Sequence, residues 1–295
     1  MVAMAENTRQ IPYNCMTMTE KSNRWNGKTA RILLIVVALI VLSVWLLSTP
    51  GGVLGKLDGV GYAVCHRIDE RSFNIGDRAL PLCARCSGMY LGAATALVYL
   101  FFVGGGKQNF PSWSVAAVLI LFVIAFVVDG TNSYLYLIKS IAPDAVAKIP
   151  NIYVPNNTLR ILTGSGMGLG LAAILHPAFN QSAWVTAEEK PALTWKALLI
   201  LVPIIITIDL LVTMESPVVL YPAAFISVAG VLVLLTMVYT IVWIMITGQE
   251  NRYTSLRQMW MPLLAGFTIA LLQILAIDLV RYWLTGTWGA IPLVS

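Results

Sequence analysis

Long apolar runs alternate with short polar connectors along this chain, and the runs exceed what a helix inside a soluble domain requires. Seven can be marked: residues 32–47, 87–103, 112–129 with an extension towards 137, 157 to just before Pro177, 195–214, 219–246 and 259–284. Roughly 20 apolar residues in a helix cross about 30 Å of hydrocarbon. The pattern predicts an all-α fold, a polytopic transmembrane helix bundle of about seven spans. Trp45, Trp113, Trp195, Trp243, Trp260 and Trp283 fall near the ends of these runs, where amphipathic rings favour the headgroup layer.

Between the runs the polar segments read differently from one another. Residues 1–30 form a polar tail carrying Arg9, Lys21, Arg24 and Lys28. The run after Arg31 is expected to remain as an uncleaved first span, because a long charged stretch precedes it and no small-x-small cleavage site follows. Residues 49–86 hold Gly51, Gly52, Gly55, Gly59 and Gly61, which predicts a loop, parts of which cannot form a regular helix. Residues 139–156, with Pro143, Pro150 and Pro155, read as another loop.

Composition agrees with the spans. Charged residues make up 11% of the chain and hydrophobic ones 58%, whereas soluble domains carry about 25% charge. The net charge of +5 would raise nucleic-acid binding in a soluble protein. Here basic residues flank spans and no nucleic-acid motif occurs, so the expected partner is the lipid bilayer, in a multi-pass cell-membrane protein, without nucleic acid. The basic residues divide almost evenly between the two faces. Setting aside those in the 49–86 loop favours an N-terminus on the cytoplasmic side.

Candidate chemistry is concentrated in that loop. Cys65-His66-Arg67 is followed by Glu70-Arg71-Ser72-Phe73 and by Pro81-Leu82-Cys83-Ala84-Arg85-Cys86-Ser87-Gly88. A Cys-x-x-Cys pair can close a disulfide or grip one metal. With Cys65 and His66 it makes a Cys₃His set that suits tetrahedral zinc, provided the backbone turns so that adjacent Cys65 and His66 both reach the ion. Metal: Cys65, His66, Cys83 and Cys86, zinc first, is the leading expectation. A thiol-disulfide oxidoreductase is the alternative, since Cys83 and Cys86 open a helix whose dipole, with Arg67 and Arg85 nearby, favours thiolate. A plain disulfide or inert buried thiols is the third. Whether the protein is an enzyme stays open at this point.

These residues resemble a prokaryotic membrane family catalogued as domain of unknown function 2085. The likeness extends from Cys65-His66 through Met89-Tyr90-Leu91-Gly92 and Asp129-Gly130 to Asn157, Leu159-Arg160 and Thr163-Gly164. It implies a membrane location and a shared Cys-His pattern, and no reaction. On this reading the chain divides into a tail (1–30), a first span (31–48), a family-like core with the Cys/His loop and three spans (49–178), and a three-span extension (179–295).

Charges inside apolar spans cost about 2.5–3.5 kcal/mol each near a helix centre, so each needs a partner or a purpose. Asp129, near the end of the third span, and Arg160, near the start of the fourth, are expected to pair on the face that carries the cysteines. Asn157, Arg71 and Arg85 are further candidates for a polar site there. Asp278 and Arg281 are spaced to pair on one helix, and His176, before Pro177, is expected at a helix end. Gly88 and Gly92, with Gly164 and Gly168, predict closely packed helices. A transporter or lipid-handling role, or a place as subunit of a membrane complex, is also compatible with such residues.

Overall fold

The computed structural model describes residues 27–146 and 148–289. Most of the polar tail, Cys15 included, lies outside them. Among the described residues eight α-helices follow one another: α1 Lys28–Ser48, α2 Gly52–Val64, α3 Ala84–Tyr99, α4 Trp113–Ile141, α5 Asn157–Ala183, α6 Trp195–Thr213, α7 Pro217–Thr247 and α8 Trp260–Thr285. All but α2 are long and apolar enough to cross a membrane, α3 being prolonged by a π turn to Gly104. The chain is an all-α, multi-pass membrane protein. The ribbons are minor: β1 Asn74–Ile75 with β2 Arg78–Ala79 in the Cys/His loop, and β3 Lys107–Asn109 beside β4 Glu188–Pro191 at the opposite end.

Two expectations are corrected. The fourth span does not stop before Pro177, because α5 continues to Ala183. A proline inside a helix removes one hydrogen bond, and in a membrane bundle packing around the site can make good the loss. His176 is consequently fully buried and meets Phe101 edge-on at 5.1 Å between ring centres, so it is no interfacial residue. The glycine-rich start of the 49–86 loop is helical, as α2. Its glycines serve close contact: a Cβ on Gly61 would stand 2.1 Å from the Pro81 carbonyl oxygen, and one on Gly55 2.7 Å from that of Pro50.

The tightest interface joins α3 and α5, which run parallel. A Cβ added at Gly88 would lie 2.2 Å from the Ile161 carbonyl oxygen, at Gly164 2.2 Å from that of Arg85, and at Gly168 2.0 Å from that of Met89. Backbone therefore rests on backbone along the seam, as small residues permit in lipid. Both helices begin at the same end of the bundle. The Cys/His loop, the 142–156 connection and the end of α8 lie there too. Side chains such as Ile32, Leu39, Leu121 and Ile124 on α1 and α4 are exposed, as surfaces facing lipid would be.

Candidate metal centre

The centre is assembled where α2 ends and α3 begins. Cys65 leaves α2 in an extended conformation, and two residues later Arg67 adopts φ 55°. A non-glycine residue in the left-handed region is uncommon and needs outside support. Arg67 finds it by donating to Asp58 Oδ1 at 2.8 Å and to the Trp288 carbonyl at 3.0 Å. With this turn, Cys65 Sγ and His66 Nδ1 come within 3.5 Å of each other.

Cys83 arrives from the other side. Gly61 lets the backbone of Pro81 press against α2, and Leu80 and Leu82 are buried beneath it. Cys83 then caps α3, and its backbone N–H donates to Cys65 Sγ at 3.3 Å. The ligand atoms of Cys65, His66 and Cys83 all lie within 4.8 Å of one another. Cys86, one turn into α3, is not within this mutually close set but lines the same cleft.

Cys65, His66 and Cys83 are donors of the kind that could hold a metal ion. Zinc bonds of about 2.3 Å to sulfur and about 2.0 Å to nitrogen, at tetrahedral angles, place S and N donors about 3.6 Å apart and two sulfurs about 3.8 Å apart. Hydrogen bonds from the Cys83 and Cys86 thiols hold the Cys65 thiol well below its ordinary value, against the opposing effect of burial. The same contact keeps the proton on Cys83, which is pushed up to about 12. The Cys83 backbone N–H, at 3.3 Å from Cys65 Sγ, also favours negative charge on that sulfur.

Arg281 of α8 braces this corner. It donates to the carbonyl oxygens of Tyr62 and of Cys65, the latter at 2.6 Å, and lies 3.9 Å above the Tyr62 ring. Those carbonyls belong to the end of α2, where acceptors lack partners within the helix. Among the described residues Arg281 forms no ion pair with Asp278, contrary to the i, i+3 expectation. Spacing along one helix carried no signal for a contact made across the bundle.

A cleft of about 620 Å³ opens beside the centre, lined by Cys65, His66, Cys83, Cys86 and Arg85 and by Tyr134 of α4. Behind it lies the second polar group. Asp129 is buried, and its partner is Arg85, not Arg160: Arg85 Nε and Nη2 reach Oδ2 at 3.1 and 2.5 Å. Tyr153 donates to Oδ1 at 2.6 Å and Thr163 to Oδ2 at 3.3 Å. Arg160 turns back along its own helix and donates to Asn157 Oδ1 at 2.7 Å. Asn157 in turn donates to the Ser72 carbonyl at 3.2 Å, and Arg71 to that of Ser133 at 3.0 Å. All nine candidate site residues therefore lie at one end of the bundle, in two adjoining groups. Ser133 and Tyr153 were missed because uncharged residues near a span end carry no distinguishing pattern, and Thr163 stood out only within the family likeness.

Comparison with known proteins agrees with the extent of these motifs. Residues 65–174 match the family described as predicted membrane protein, DUF2085. An uncharacterized protein of Methanothermobacter thermautotrophicus is 33% identical over 111 residues, covering 38% of this chain and 83% of the relative. A second, from Methanocaldococcus jannaschii, is 29% identical over 118 residues, covering 39% of this chain and 64% of the relative. No solved structure matches.

Proposed function

This chain belongs to the DUF2085 family of membrane proteins, and we propose that its Cys65, His66, Cys83 and Cys86 hold a zinc ion at the junction of loop and helix. The observation that carries the reading is the 3.5 Å separation of Cys65 Sγ and His66 Nδ1 beside the Cys83 thiol. A zinc tetrahedron would have an S–N edge of about 3.6 Å, and the turn at Arg67, a residue with positive φ, supports a reading in which these two atoms share one ion. When bound, zinc would supply a four-point clamp; four protein donors leave no open position, which is the mark of a structural site. Cys65 and His66 would bind from the end of α2, Cys83 and Cys86 from the start of α3. Arg281, by gripping the Tyr62 and Cys65 carbonyls, holds the first pair in register with the second.

Thiol-disulfide exchange is less well supported. In a reactive Cys-x-x-Cys the pair itself carries the exchange, whereas here the closest donors are Cys65, His66 and Cys83, and Cys86 stands outside that set. Elemental analysis of protein purified in detergent under reducing conditions tests the proposal. About one zinc per chain is expected, falling to background in Cys65→Ser and Cys83→Ser. Wild-type protein without stoichiometric metal and with Cys65, Cys83 and Cys86 freely alkylated would overturn it. A redox-dependent mobility shift of the Cys83–Cys86 pair would favour exchange instead.

A further inference from the structure

Beside the candidate metal centre, two arginines are buried with donors left over. Arg71 and Arg160 are 6% and 7% exposed. Neither Arg71 Nη1 nor Arg160 Nε has a hydrogen-bond partner, and both atoms are closed off from solvent. A buried N–H of a charged group left unmatched is costly, and such groups persist where something else completes them.

The surrounding charges sharpen the point. Arg71 and Arg85 repel one another, and Arg160 lies within range of both. Against these three guanidinium groups stands one buried carboxylate, Asp129, whose oxygens are already engaged by Arg85, Tyr153 and Thr163. Glu70 acts on Arg71 weakly, from an exposed position. Glu215 faces the Asn74 backbone instead. The three arginines less Asp129 leave two positive charges in excess. A Cys65 thiolate, or a zinc bound by three thiolates and a neutral histidine, carries one negative charge, which leaves an excess of one. The parallel helices α3 and α5 also begin here, and their positive ends add to the field. The Asn156 side chain caps one α5 N–H, that of Leu159.

We infer that Arg71 and Arg160, with Arg85 behind them, form a binding site for a phosphoryl group. A phosphoryl group matches that excess as a monoanion or a diester, and the free Nη1–H and Nε–H are donors of the kind guanidinium forks present to phosphate oxygens. The Asn157 amide holds the Arg160 side chain in place. The phosphate can be free in solution or be the headgroup of an anionic lipid, since the site sits at the ends of two spans. The inference does not depend on the metal.

Two arms of one experiment separate the sources. The full-length protein in neutral detergent is melted with increasing inorganic phosphate against chloride at equal ionic strength. In parallel it is melted in phosphatidylcholine nanodiscs with and without phosphatidic acid. A saturable rise in melting temperature is expected in one arm or both, and which one responds identifies the source. Arg71→Gln and Arg160→Gln should weaken the response by about ten- to hundredfold in concentration, as for loss of a charged hydrogen bond. Arg160→Lys, which keeps the charge and the fold but lacks Nε–H, should weaken it too. Zinc content is measured on the same samples, so that failure of the metal reading is seen separately. No saturable response in either arm, or a response that Arg160→Lys leaves unchanged, overturns the inference.

Discussion

Replacing Asp129 by asparagine isolates the electrostatics of the buried arginine group. The shape of the side chain is kept. The amide oxygen can still accept from Arg85 and Thr163, and the amide nitrogen can turn to the Tyr153 oxygen, so hydrogen bonds are largely preserved while the charge is lost. Arg85 would then lie, 12% exposed, beside Arg71 and Arg160 with no counter-charge. Removing one partner of a buried pair costs about 3–5 kcal/mol. The lower end applies here, about 3 kcal/mol, because Arg85 keeps its contacts to Ser133 Oγ at 2.9 Å and to the residue 129 carbonyl at 3.1 Å. Titration with sodium dodecyl sulfate in mixed micelles, followed by helicity, measures the loss. The decisive variant is the double one: Asp129→Asn combined with Arg85→Met should recover at least about 1.5 kcal/mol relative to additivity, as coupled buried neighbours do. A single-variant cost below about 1 kcal/mol, or strict additivity, would refute the view that Asp129 serves chiefly as the counter-charge of Arg85.

Further outcomes follow from the same packing. Burial, the hydrogen bond to Asp129 and that carboxylate's charge push the Tyr153 phenol up to about 12. The fold thus favours the neutral phenol, so this contribution to stability is present below the unfolded value near 10 and is lost as pH rises through about 12. Ultraviolet titration of wild type against Tyr153→Phe should show one phenol ionising late, and Asp129→Asn should bring it down; ionisation near 10 in the wild type would count against the contact. At the α3–α5 seam, Gly168→Ala puts a methyl 2.0 Å from the Met89 carbonyl oxygen. The helices must then part by about 1 Å or more, at a cost of roughly 1–3 kcal/mol. Gly170→Ala, whose Cβ would meet nothing nearer than 3.9 Å, is the control and should change the melting temperature little.

Much of this architecture is a property of the sequence alone. Span number and position follow from apolar length, since hydrocarbon thickness sets one requirement for every helix irrespective of its neighbours. The cysteines and His66 stand out because few residue types ligate metal, and their spacing brings them to a helix start. The small residues of α3 and α5 likewise announce a close seam. What they do not announce is register. The partner of Asp129 was decided by which guanidinium the packing of α3, α4 and α5 brought within reach: Arg85 rather than Arg160. The course of α5 through Pro177 and the helical form of α2 were likewise decided by contacts from other segments, which outweigh local propensity. Arg281 reaches carbonyls more than 200 residues away in sequence, and no pattern within one helix encodes that distance. Composition and periodicity report what a segment needs from its surroundings; the neighbour that satisfies the need is a matter of three-dimensional packing. For this protein that packing set two arginines with spare donors against the Cys/His loop.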